Sequence, residues 1–212
     1  MKFVYGLFLV NVLSVNAQTN DKPVSLVHYA FDAFTNGKVR LKSGEVYNQT
    51  LNYNLVTKEM IFEQNGTYVA IAHPEAVDTV YIHERKFIPV SNAFYEWLDG
   101  SNYPLFIEHT CIIKEQGANT GFGTTNTTAA TSIKSLLKDG EAYKLKLPDE
   151  YQLVRGQAFY VRKNARYYKI NNEQQIIKLF PEKSEILHKW IESNKTRFSQ
   201  AKDMMLLIQQ IQ

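Results

Sequence analysis

Few side chains in this chain could carry chemistry, and one pair stands out by spacing. His109 and Cys111 fall in the alternating run Leu105, Ile107, His109, Cys111, Ile113. In a β-strand, residues two apart point to the same face, so imidazole and thiol would share a side. A cysteine nucleophile needs such a base to form thiolate at neutral pH. The three aliphatic residues on that face argue for a different role. They mark it as core, where burial raises a thiol pKa and the histidine is a satisfied or edge residue. No third group that would orient the imidazole can be named from sequence. A hydrolase reading would rest on His109, Cys111 and His83; the expectation is that no residue is catalytic.

The remaining motifs are weaker. His28, His73, His83 and His188 form neither an H-x-H nor an H-E-x-x-H pattern, and His83-Glu84 lacks a second histidine four residues on. No metal site is expected. Gly121-Phe122-Gly123 resembles a phosphate loop only in its glycines, because residues 117–132 carry no basic side chain. No cofactor is expected. Ser91, Ser101 and Ser132 have no G-x-S-x-G context. Asn48, Asn65, Asn126 and Asn194 each open an N-x-[ST] triplet, an unremarkable yield from an Asn- and Thr-rich chain. Tyr95 and Trp97 share a strand face, with Tyr103 close behind. They could stack on sugars or anchor a protein partner, but the plainer reading is of half-buried strand residues.

The elements that must hold these residues are mostly strands. From Lys38 to about Lys114, short alternating runs are separated by Gly44, Asn65-Gly66 and Asp99-Gly100, and Asn-Gly is the strongest of these hairpin signals. Pro89 is expected to end the ladder that runs through Phe87-Ile88. Residues 117–128 are small, polar and aperiodic, which predicts a mobile loop. A short helix is expected over Ala129–Lys138. Strands follow at Tyr143–Leu147, Tyr151–Val154 and Ala158–Val161, the last extended by Tyr167–Ile170. The period then changes. Glu173–Phe180 reads as helix, Pro181 opens another with the stripe Ile186, Leu187, Trp190, Ile191 ending at Asn194, and Ser199 caps a third. The expected fold class is α+β, mainly an antiparallel β meander or barrel-like domain at 18–170, with a helical tail at 171–212 packed on it.

The first residues read as an export signal. Lys2 precedes the apolar run Phe3–Val15, and Val15-Asn16-Ala17 places cleavage after Ala17. That run is too short to span a bilayer, and no later segment has 18 uninterrupted apolar residues. The protein is expected to be periplasmic or extracellular. A net charge of +3 without a dense basic patch argues against nucleic acid. The single cysteine allows no internal disulfide, so stability must come from the core.

Four features together carry a resemblance. They are the signal ending in Asn16-Ala17-Gln18, the block Gly37–Glu45 with Leu51-Asn52-Tyr53-Asn54, the Gly/Thr loop at 117–128, and Lys178–Lys183 leading to Ile191–Lys195 and Phe198. In these the chain resembles an uncharacterised family of exported proteins of Bacteroidetes-type bacteria. The resemblance implies an envelope or secreted location and supplies no catalytic residues. The expected role is a non-enzymatic module that binds an envelope protein or glycan, with an envelope hydrolase as the alternative.

Overall fold

The computed structural model describes residues 26–100, 102–115, 119–120, 123–124, 135–140, 142–149 and 151–212. The expected export signal and most of the 117–128 loop lie outside them. The chain begins with β1 (Thr35–Leu41) and β2 (Val46–Asn54), turned by Gly44 at φ 96°. β3 (Glu59–Gln64) and β4 (Thr67–Ala70) follow, joined by Asn65 and Gly66 at φ 53° and 77°. A two-residue hairpin of matching twist needs positive φ at both positions, and this dipeptide supplies it cheaply. Then come β5 (Val77–Ile82), β6 (Arg85–Val90), β7 (Ala93–Asp99) and β8 (Leu105–Glu115). β9 (Asn119–Thr120) and β10 (Gly123–Thr124) form a separate small ladder. β11 (Lys138–Asp139), β12 (Ala142–Tyr143), β13 (Tyr151–Lys163) and β14 (Arg166–Lys169) complete the strands.

One open antiparallel sheet of 12 strands runs β11-β12-β4-β3-β2-β1-β5-β6-β7-β8-β13-β14. It is a meander with two excursions. The chain leaves β4 at one side and re-enters at β5 beside β1, so segment 71–76 must pass the ends of β3, β2 and β1. Later it leaves β8, pairs β12 with β4, and returns as β13 along the whole length of β8. The sheet also folds back on itself. The Tyr53 hydroxyl of β2 donates to the Phe94 carbonyl of β7 at 3.0 Å, although three strands separate them in the order. Val39, Leu51, Tyr53, Val77, Val80, Ile82, Phe87 and Phe94 are buried in the concavity this creates.

Three helices follow: α1 (Glu173–Leu179), α2 (Ser184–Asn194) and α3 (Ala201–Ile208). The Asn172 side chain caps α1 by accepting from the Gln175 amide, and α2 stops where Lys195 turns left-handed at φ 49°. The N-cap of α3 is Gln200 and not the expected Ser199, and its side chain makes no capping bond. Ile176, Phe180, Leu187, Met204, Leu207 and Ile208 share one buried cluster with Leu105 and Ile107 of β8 and Phe159 and Val161 of β13. No helix among the described residues is long and apolar enough to cross a membrane.

Several expectations change in detail. The strand foreseen at Tyr143–Leu147 is strand only at Tyr143, because β12 is Ala142–Tyr143. Of the helix foreseen over Ala129–Lys138, residues 129–134 lie outside the described residues, Ser135 and Leu136 are helical, and Lys138 is already strand. The strands read as Tyr151–Val154 and Ala158–Val161 are one, because Gly156 does not break it. A Cβ at Gly156 would stand 2.8 Å from Thr110 Oγ1, so glycine lets β13 lie close against β8 at that point.

Candidate functional site

The most apolar of the concavities is a recess of about 400 Å³ on the folded sheet. Its floor follows from strand parity. Val39 and Leu41 of β1 and Tyr47, Gln49 and Leu51 of β2 are odd-numbered residues on adjoining strands, with Val39 opposite Tyr47. Phe62 of β3 stands opposite Leu51 and extends the same face. On the other side, β1 pairs with β5 through Val39↔Val80 and Arg40↔Thr79, and then the register slips so that Leu41 meets Val77. This bulge passes over Asp78, whose carboxylate goes to Arg40 at 3.8 Å, and it puts a valine opposite Leu41 at the recess. The crossing segment supplies the roof with Ile71, Ala72, His73 and Ala76. Leu51 and Val77 are fully enclosed, whereas Tyr47 and His73 are exposed at the rim. Gln49 and His73 are the principal polar side chains of the lining.

A second constellation lies on the β6–β7–β8 part of the sheet. Arg85 grips Glu96 with two parallel bonds, Nε to Oε1 and Nη2 to Oε2, each 2.7 Å. His109 Nε2 lies 2.6 Å from Glu96 Oε2 and 2.9 Å from Arg85 Nη2. One ring nitrogen cannot donate to the first and accept from the second. The 2.6 Å contact to a carboxylate oxygen assigns the proton to Nε2. Burial alone would raise the Glu96 pKa. The hydrogen bonds from His109 and Arg85, and their charges, outweigh it and hold the carboxyl at about 2. Phe31 and Phe87 lie under the Arg85 guanidinium at 5.0 and 5.1 Å.

The structure separates the residues that the sequence grouped. His109 and Cys111 do share a face of β8, and Glu96 is the orienting partner that the sequence did not reveal. Yet no imidazole among the described residues is hydrogen-bonded to Cys111. Burial pushes the Cys111 thiol up, against a smaller opposing effect of Arg155. The dyad on which a hydrolase reading would rest is therefore not assembled. His83 occupies the β5–β6 turn at φ 53°, with its ring against Phe31. His188 pairs with Glu173 on the helices, and His28 is fully buried. No group of three His, Cys, Asp or Glu side chains among the described residues is placed to hold a metal ion.

The aromatic residues follow the plainer reading. Tyr95 packs on Tyr160 and Tyr167, Trp97 packs on Phe106, and Tyr103 meets Phe180 edge-on. Sequence reasoning missed the recess because it depends on a β-bulge and a crossover. It missed Glu96 although a lone acid inside Phe94-Tyr95-Glu96-Trp97 was a signal, since a charge on a core-facing position demands a partner. The chain matches no family model, no curated protein and no solved structure.

Proposed function

We propose that the protein is an exported, non-enzymatic binding module that takes a hydrocarbon chain into the recess between β1, β2 and the 71–76 crossover. The observation that carries this is the lining itself. Six aliphatic or aromatic side chains (Val39, Leu41, Leu51, Phe62, Ile71 and Val77) line an open recess of about 400 Å³ whose lining holds no Asp, Glu, Lys or Arg. Small-ligand sites usually occupy about 300–1,000 Å³, are mostly apolar, and favour the mouths of barrel-like sheets. A glycan would need a denser set of hydrogen-bonding groups beside its stacking rings than Gln49 and His73 provide, which favours hydrocarbon over sugar. Location outside the cytosol rests on the composition of residues 1–17. Catalysis finds no support in the Cys111 surroundings.

Equilibrium binding of a series of neutral straight-chain alcohols tests the proposal. Each buried methylene contributes about 0.8 kcal/mol, so affinity should rise roughly tenfold for every two carbons until the recess is full. Affinity that does not depend on chain length would remove the proposal.

A further inference from the structure

The Arg85–Glu96–His109 constellation borders a cleft of about 120 Å³, lined by Ala30, Leu55, Arg85, His109, Thr110, Arg155 and Gly156. Glu96 is not part of that lining. The cleft brings together two guanidinium groups and an imidazole, together with a hydroxyl. We propose that it is a binding site for a small oxyanion, a carboxylate or a phosphoryl group, held between Arg85 and Arg155.

The charge balance points to an anion. Arg85 is neutralised by Glu96, but Arg155 has no acidic partner among the described residues. Its Nη2 donates instead to the carbonyls of Val27 and Tyr29, both at 2.8 Å. Those bonds fix the plane of the guanidinium and leave Nε and Nη1 without a partner among the described residues. Arg85 commits Nε and Nη2 to Glu96 and leaves Nη1 without a partner among the described residues. Two fixed guanidinium groups with spare N–H donors around one cleft match the fork that carboxylates and phosphates accept. Thr110 adds a hydroxyl-bearing side chain to the same wall.

The volume fits such a group. A water occupies about 30 Å³ of liquid, so the cleft has room for about four waters or one small oxyanion, and it is too small for a drug-sized ligand. Gly156 belongs to the device. A side chain there would run into Thr110 Oγ1, 2.8 Å from an ideal Cβ, and fill the wall between β8 and β13. Arg85 is held in place twice, by the bidentate carboxylate and by Phe31 and Phe87 beneath it. This preorganisation lowers the cost of ordering the group when an anion arrives.

Sodium acetate and inorganic phosphate, titrated separately at constant ionic strength into the full chain, test the assignment. The readout is NMR of the arginine Nε–H and histidine ring resonances. Saturable shifts confined to Arg85, Arg155 and His109 are expected with at least one anion. The tighter anion names the chemistry, carboxylate or phosphoryl. Arg155→Gln should weaken binding by about tenfold or more, the usual loss for a hydrogen bond to a charged partner. Because Arg155 also ties down Val27 and Tyr29, Thr110→Val provides a second variant that leaves those bonds in place, with a loss of severalfold. Shifts from neither anion, or affinities unchanged in both variants, would overturn the proposal. A neutral alcohol carries no charge, so the outcome here is independent of the hydrocarbon recess.

Discussion

The Tyr53 hydroxyl donates to the Phe94 carbonyl at 3.0 Å, joining β2 to β7 across the fold of the sheet. Its position explains its value. The β7–β8 ladder begins at Glu96, so Phe94 lies just beyond the last paired residue of that ladder. The phenol supplies a donor where the neighbouring strand has diverged. Burial raises the Tyr53 pKa well beyond the ordinary phenol range, with nearby Glu108 adding to the effect, so the group stays protonated and remains a donor. Tyr53→Phe removes that donor without changing the packing volume. The expected loss is about 1–2 kcal/mol, read as a shift of the urea midpoint at unchanged slope.

Acid should weaken the fold in two steps. His28 is fully buried, and both ring nitrogens lack a hydrogen-bond partner among the described residues. Burial lowers its pKa from 6.5 to about 4, partly offset by a backbone contact at Lys144. The unfolded chain therefore binds a proton between those values while the folded chain does not, and stability falls as pH drops through that window. The cost is on the order of 3 kcal/mol when the window has been crossed. Glu96 acts lower, since its folded pKa of about 2 is below the 4.5 of the free group. Its contribution is complete above 4.5 and is lost as pH falls towards 2. Urea titrations across this range should show both declines, and His28→Gln should remove the upper one alone. An upper decline that persists in His28→Gln would assign it to another group.

Gly37 of β1 marks a close approach of a different kind. A Cβ there would stand 2.5 Å from the Tyr81 carbonyl oxygen and 2.9 Å from Leu51 Cδ1. Backbone cannot move aside as a flexible side chain does, so Gly37→Ala should cost about 1–3 kcal/mol. Because Leu51 lines the recess, the same change should also weaken hydrocarbon binding. A melting temperature equal to that of the unmodified protein would show that β1 and β5 have slack at this point.

The helical tail makes a graded prediction. Leu187 is fully buried, while Trp190 beside it is half-buried. Leu187→Ala should therefore cost about 2–5 kcal/mol, and Trp190→Ala should fall at or below the lower end of that range. Truncation at Asn171 would uncover Leu105, Ile107, Phe159 and Val161 at once, and the fragment is expected to melt lower or aggregate. A fragment with unchanged melting temperature would contradict the packing described here.

The parts of this fold that were legible in the sequence share a physical cause, local pattern. Asn65-Gly66 and Gly44 announced their turns because positive φ favours such residues, and the odd face of β8 announced itself by alternation. Pro89 misled, since β6 runs through it to Val90 and pairs Pro89 with Phe94 of β7, while the β5–β6 pairing stops earlier, at Phe87. Turns made without glycine were silent, as at His83-Glu84, Ser91-Asn92 and Asn164-Ala165, where His83, Ser91, Asn164 and Ala165 all take positive φ. In α2, the apolar stripe overstated burial, since Ile186 is 50% exposed. The candidate sites were the least legible. Arg85, Glu96 and His109 come from three strands, Arg155 from a fourth, and the recess needs a bulge at Arg40/Leu41 and a crossover after β4. Such long-range register is fixed by packing over the whole sheet, and no short window of sequence carries it.

The central claim is that a hydrocarbon chain occupies the recess, and methyl NMR tests it most directly. Decanol titrated into methyl-labelled protein should shift the signals of Val39, Leu41, Leu51, Ile71 and Val77 saturably, leaving Leu187, Leu207 and Ile208 of the helices unmoved. Ile71→Glu, which places a charge in the half-buried roof, should weaken that binding by at least about tenfold with the fold retained. Shifts spread over the helices, or none at the recess, would contradict the account.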